Sequence, residues 1–169
     1  MNEIMRVNGT PLTVRPIEIT DVQRLARMFK RLSPESVRFR FFAPLPRLRW
    51  PVLLRLADVD HCQRDALVAL DGDEIVAVAR YNALANPEHP DAHDAELAVT
   101  VEDAWQRCGL GRRLTRHLAR LARARGYDAF VATILAENRA ALALVRDVAP
   151  DAQVRFADGE YEARLDLTA

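Results

Sequence analysis

Lysine is almost absent from this chain: of its 24 lysines and arginines, Lys30 alone is a lysine. Genomic base composition is the simplest reading of that bias. Cysteine is nearly as scarce, and Cys62 and Cys108 are too few for a disulfide framework or a zinc site. No charge is in excess, since 24 basic residues balance 24 acidic ones, which argues against a general nucleic-acid binder. No apolar run is long enough to span a bilayer, and none opens the chain. No membrane segment and no signal peptide are therefore expected, and the expected location is cytoplasmic. Repeats, low-complexity tracts and linkers are missing too. What is left is ordinary: 169 residues, half of them hydrophobic and 28% charged, read as one domain over 1–169 with a substantial core.

The most informative stretch runs from Glu96 to Leu114. Leu97 to Val101 is apolar and β-branched, as a buried strand would be. Glu102, Asp103 and Ala104 break the run. Gly109 and Gly111 then open a segment with Leu110, Leu114, Leu118 and Leu121 at helical spacing. Glycines at a helix start let a ligand approach the backbone, where free amides and the positive end of the helix dipole attract an anion such as a pyrophosphate. A nucleotide P-loop would need a Lys after the second glycine, and a dinucleotide fingerprint needs three spaced glycines directly after the strand. Neither pattern is present. The bland reading is a Gly-rich turn that merely joins strand to helix.

The rest of the chain supplies a sheet and helices around that unit. Leu12 to Ile17 alternates as a strand. Thr20 and Gln23 are spaced as a capping box for a helix over about 21–31, with Val22, Leu25, Met28, Phe29 and Leu32 inward. Ser33 and Pro34 begin a second helix, and a third is expected around 51–57. Ala66 to Leu70 and Ile75 to Tyr81 form a hairpin about Asp71, Gly72 and Asp73. Asn86 to Asp91 reads as a loop. Gly126 ends the glycine-opened helix. A strand follows at 130–135, then a helix capped by Asn138 to about Val148, and a closing hairpin (153–156 and 161–167) about Asp158 and Gly159. The order is α/β, with antiparallel hairpins and one parallel strand–helix–strand unit in a mixed sheet.

Val101, then Gln106, Gly109 and Gly111 in the pattern Gln-x-x-Gly-x-Gly, resembles the acetyl-CoA signature of the GNAT superfamily of N-acyltransferases. The element order is similar to that family over nearly the whole chain. The resemblance implies a mixed, mostly antiparallel sheet of six to seven strands flanked by about four helices. Within the family the chain is most similar to bacterial protein-lysine acetyltransferases, through Leu32–Phe42, Ala66–Ala69, Ala95–Val99 and Ala136–Asn138. That likeness implies Glu96 as general base. It implies an acetyl-CoA site with the pyrophosphate on the amides of Gln106, Arg107, Cys108, Gly109, Leu110, Gly111 and Arg112. Val99, Thr100, Val101 and Asn138 would lie along the pantetheine arm. The acceptor would be a protein lysine, an acyl-CoA synthetase among such acceptors, or a small amine such as a polyamine, an amino acid or an antibiotic. A catalytically weak acetyl-CoA sensor is the alternative from a different class. No metal is implied.

Three departures qualify the likeness. Many members carry Tyr seven residues after the Asn, as general acid for the leaving thiol, and here that position is Val145. Gly and Arg or Lys are common where Arg107 and Cys108 stand. No cyclic-nucleotide domain precedes, so direct control of that kind is not expected. The chemistry asks for a base because a lysine amine, with a pKa of about 10.4, arrives protonated at neutral pH. Glu96 is expected to be partly buried beside the cofactor channel, with Asp94 and Glu102 as weaker substitutes. His61, His89, His93 and His117 have no metal spacing and read as surface residues. Cys108, at a helix start, reads as an inert loop residue rather than a reactive thiol. Arg112 and Arg113 lie close enough to the loop to reach CoA phosphates. Arg116, Arg120, Arg123 and Arg125 continue a basic face, most simply solvated. Arg38, Phe39, Arg40, Phe41 and Phe42 line the acceptor side or, for Phe39 and Phe42, fill the core.

Overall fold

The computed structural model describes residues 2–85 and 93–167. The expected Asn86–Asp91 loop and His89 lie outside the described residues. In chain order the elements are β1 (Glu3–Val7), β2 (Thr10–Pro16), α1 (Val22–Arg31), α2 (Pro34–Phe41), α3 (Trp50–Ala57), β3 (Arg64–Asp71), β4 (Glu74–Ala83), β5 (Asp94–Val101), α4 (Leu110–Ala124), β6 (Ala129–Leu135), α5 (Arg139–Val148), β7 (Gln153–Ala157) and β8 (Glu160–Asp166), with short 3-10 turns at Ile19–Asp21 and Asp103–Trp105. Among the described residues none of the helices is long and apolar enough to cross a membrane.

The fold is an α/β GNAT fold, with eight strands where six to seven are expected and five α-helices rather than about four. The unforeseen strand is β1. It pairs with β2 across Asn8 and Gly9, at φ 49° and 85°, an Asn-Gly hairpin turn whose two positive φ angles suit the strand twist. The expected capping box at Thr20 and Gln23 is replaced by one set earlier. The Glu18 amide donates to Asp21 Oδ2 at 2.9 Å, and Thr20 Oγ1 donates to Glu18 instead. Ser33 caps α2 as expected, accepting from the Ser36 amide at 3.1 Å, with Pro34 at the first helical position.

The strand order is β1-β2-β3-β4-β5-β6-β8-β7, antiparallel throughout except between β5 and β6. One face carries Leu67, Ala69, Ala77, Ala79, Tyr81 and Leu97 against Leu110, Leu114 and Leu118 of α4 and Val145 of α5. The other carries Ala66, Val68, Leu70 and Val78 against Leu25 and Met28 of α1, Val37 of α2 and Leu53 of α3. The two central strands β3 and β4 are thus buried on both sides, which is why they read as unbroken apolar runs. The helices sort by their leucine stripes: α4, with a buried residue at each of Leu110, Leu114, Leu118 and Ala122, closes one layer, and α1 to α3 close the other.

The α1 side is fastened by one carboxylate. Asp21 is fully buried and accepts from Arg15 Nη1 and Nη2 at 2.7 Å each, and from Arg24 Nη1 at 3.3 Å. Burial alone would raise the Asp21 pKa. The Arg15 hydrogen bonds, the Glu18 amide and the Arg24 charge outweigh it and hold the carboxyl below its usual range. A depressed carboxyl pKa adds stability that is complete above the unfolded value, about 3.9, and lost as pH falls through the folded one. We expect Asp21→Asn to cost about 3 kcal/mol in urea unfolding at neutral pH, because it leaves Arg15 half-buried and unpaired. The gap between mutant and parent should close below about pH 4, where Asp21 titrates.

Candidate acetyl-CoA site

The site begins where two strands part. β5 and β6 pair only through Asp94 with Ala129, Ala95 with Phe130 and Glu96 with Val131. Beyond Glu96, β5 continues on β4 to Val101 and β6 continues on β8 to Leu135, so their facing edges diverge. The closed end is pinned by Arg164 Nη2 on Asp94 at 3.1 Å and by the Asp128 amide donating to His93 at 2.8 Å. The open end is filled by helices. A Cβ at Gly111 would stand 3.4 Å from Val101 Cγ2 and 3.7 Å from Leu144 Cδ2, so the first turn of α4 sits tight between β5 and α5. The fork leaves the β5 backbone edge unpaired at Val99 and at the Val101 amide, open to an extended ligand that can pair as a strand does.

At the mouth of the fork the chain turns into a row of free amides. Arg107 and Gly109 both lie in the left-handed region, at φ 59° and 80°. The amides from Arg107 to Arg112 donate to no described residue, and Gly109 caps α4 with no side chain in the way. Consecutive free amides at a helix start make an anion cradle. Its floor is braced from α2. Asp103 accepts from the Ser33 amide at 3.0 Å, Ser33 Oγ at 2.7 Å and Ser36 Oγ at 2.9 Å. Gln106 Nε2 donates to Ser36 Oγ at 3.2 Å and to the Val101 carbonyl at 3.1 Å. The Gln106 side chain is therefore a loop brace.

A model of the acetyltransferase (GNAT) family matches residues 26–148. The chain belongs to the GNAT acetyltransferase family. A Pseudomonas aeruginosa acetyltransferase is 34% identical over 137 residues, covering 79% of this chain and 71% of the relative. The GNAT domain of S. lividans PAT superposes with a TM-score of 0.89 at 31% identity, over 98% of this chain and 96% of that one. A putative acetyltransferase of Salmonella typhimurium, yncA, solved with acetyl-CoA, shares the fold at a TM-score of 0.69 and 19% identity, over 92% and 94% of the two chains.

Acetyl-CoA is the co-substrate of this family, and the fork and the amide cradle suit it: an extended arm between strands and a pyrophosphate on backbone N–H groups. In this GNAT acetyltransferase the other expected residues fall as follows. Thr100 and Leu110 are buried, and Asn138 Oδ1 caps α5 through the Ala141 amide at 3.0 Å. Cys108 donates its thiol to the Trp105 carbonyl and is half-buried. Arg112 pairs with Asp147 of α5 at 3.3 Å, and Arg113 turns back to the Arg6 carbonyl of β1. Val145 is buried in the core. Asp94 is tied to Arg164, and Glu102 to Arg31 at 3.0 Å, so both substitutes for Glu96 are already committed to ion pairs. Glu96 itself is exposed rather than partly buried. Its neighbours across the strands are Asn82 on β4 and Val131 on β6, and its β5 face looks away from the α4 layer. The residues missed from sequence are Asp103, Ser33 and Ser36. A polar trio contributed by two segments that lie far apart in the chain carries no local signal.

Arg107 holds a left-handed conformation that costs a non-glycine residue about 1–2 kcal/mol. We expect Arg107→Gly to raise unfolding stability by about 1 kcal/mol and leave acetyl-CoA affinity within about threefold, since the substitution keeps every backbone amide of the cradle. By contrast, Asp103→Ala removes three accepted hydrogen bonds beneath the cradle, and calorimetry should register a loss of acetyl-CoA affinity of about tenfold or more.

Proposed function

We propose that this acetyltransferase moves acetyl directly from acetyl-CoA to the side-chain amine of a protein lysine, with Glu96 as general base. The single observation that carries the reading is the end of β5–β6 pairing at Glu96 and Val131, which sets a carboxylate at the throat of the fork. Acetyl-CoA supplies the thioester carbonyl and a thiol that leaves readily. The residues of the chain do the rest. The amides from Arg107 to Arg112 hold the pyrophosphate, the open edge of β5 aligns the arm, and Glu96 accepts the proton that the incoming ammonium must lose. A thiol pKa of about 8.5 makes an unassisted thiolate a tolerable leaving group, consistent with Val145 where a tyrosine acid often stands. The tyrosine hydroxyls of Tyr81 and Tyr127 are spent on the Cys62 carbonyl at 3.0 and 3.2 Å. For the acceptor, the four stretches similar to bacterial protein-lysine acetyltransferases support lysine. The exposure of Glu96 adds to this: a carboxylate at the surface is reachable by an amine on the long stem of a lysine held by a folded partner.

Mass spectrometry of lysate proteins that gain acetyl groups on adding this protein and acetyl-CoA identifies the acceptor. On that acceptor, Glu96→Gln should bind acetyl-CoA like the parent while kcat at neutral pH falls about a hundredfold to ten-thousandfold. The deficit should shrink towards the amine pKa of about 10.4, where free amine forms without help. A mutant within about threefold of the parent at neutral pH would remove Glu96 as the base.

A further inference from the structure

Two arginines beside Glu96 have no partner. Arg80 sits mid-strand in β4, opposite Ala66 of β3 and Ala98 of β5, and is only 5% exposed. One pair along lies Asn82, opposite Arg64 and Glu96. The residues opposite Arg80 are thus small, and the charge of Arg40, on α2, reaches Arg80 on the α1–α3 side of the sheet. The side chains of Arg80 and Arg40 form no hydrogen bond and no ion pair with any described residue; that of Arg40 has only the ring of its neighbour Phe41, 5.0 Å away. Burial pushes the Arg80 pKa down to about 10, the charges of Arg40 and Arg64 add to the fall, and Glu96 opposes it. Burial likewise lowers Arg40, again with Glu96 opposing. Arg64 is partly neutralised by Asp60 at 3.4 Å. One carboxylate thus faces two uncommitted guanidinium groups.

Such an arrangement is costly unless something answers it. A cation held largely out of water with no carboxylate partner gives up part of its hydration without a pair to offset it. A planar guanidinium fork matches a carboxylate oxygen for oxygen. We infer that Arg80 and Arg40 form a carboxylate subsite in the acceptor cleft, so that the preferred acceptor lysine is flanked by an acidic side chain. The inference rests on the lysine reading above and narrows it. While the flanking carboxylate sits on the arginines, Glu96 stays free to take the proton of the amine.

The test uses two ten-residue peptides with one central lysine, flanked by glutamate in one and glutamine in the other, titrated into the protein with CoA present. The parent should bind the glutamate peptide about tenfold more tightly or better, the worth of one charge-assisted pair. In Arg80→Met and in Arg40→Met that ratio should fall below about threefold. Arg40 lies on a half-exposed helix face, so its variant keeps the test available if the Arg80 variant does not fold. Equal binding of the two peptides by the parent overturns the subsite, and so does a preference that survives in both variants. Acetyl transfer is measured on the same peptides. A binding preference with no transfer to either peptide would support the subsite and overturn the lysine reading. Transfer to both with no preference would do the reverse.

Discussion

Everything functional in this molecule depends on two parallel strands that stop pairing after three residues. A continuous β5–β6 ladder would satisfy every backbone group and leave no slot for an extended ligand. The parting is enforced from both ends. Arg164 on Asp94 and the backbone link from Asp128 to His93 clamp the closed end. At the open end α4 and α5 push in, and a Cβ at Gly111 would already be in contact with Val101 and Leu144. The helix that keeps the strands apart is the same helix whose first turn presents free amides, so one packing constraint sets both the slot and the anion cradle.

The arginines are used in two ways. One set is tied to carboxylates, several of them on other elements. Arg15 and Arg24 hold Asp21, Arg31 bridges Glu74 and Glu102, and Arg125 reaches the buried Asp65 beneath the Tyr81 hydroxyl. These pairs join helices to strands far apart in the chain and lock the layers that frame the cleft. Arg80, buried, and Arg40, half-buried, have no carboxylate partner among the described residues and lie near the proposed base.

The cradle needs support that the glycines do not provide. Asp103 binds three donors from the start of α2, and Gln106 ties the loop to both Ser36 and the last residue of β5. The loop is therefore stiff at both ends although Arg107 and Gly109 bend it sharply between. Stiffness of that kind matters because amides bind an anion well only when they already point at it.

Local chemistry determined most of the elements. The leucine spacing of α4, the Ser33–Pro34 helix start, the Asn138 cap and the glycine hairpins each involve residues within a few positions of one another, so periodicity and capping rules reach them. The family signature around Gln106, Gly109 and Gly111 is of the same short-range kind. Even β1 was locally encoded, in the Asn8–Gly9 turn. The tertiary structure alone decided where β5 and β6 separate, that α2 braces Asp103 and Gln106 beneath the cradle, that Glu96 is exposed, and that Arg40 of α2 lies near enough to Arg80 for their charges to interact. Each of those depends on segments tens of residues apart, brought together by sheet register and helix packing, and no window along the chain contains them all.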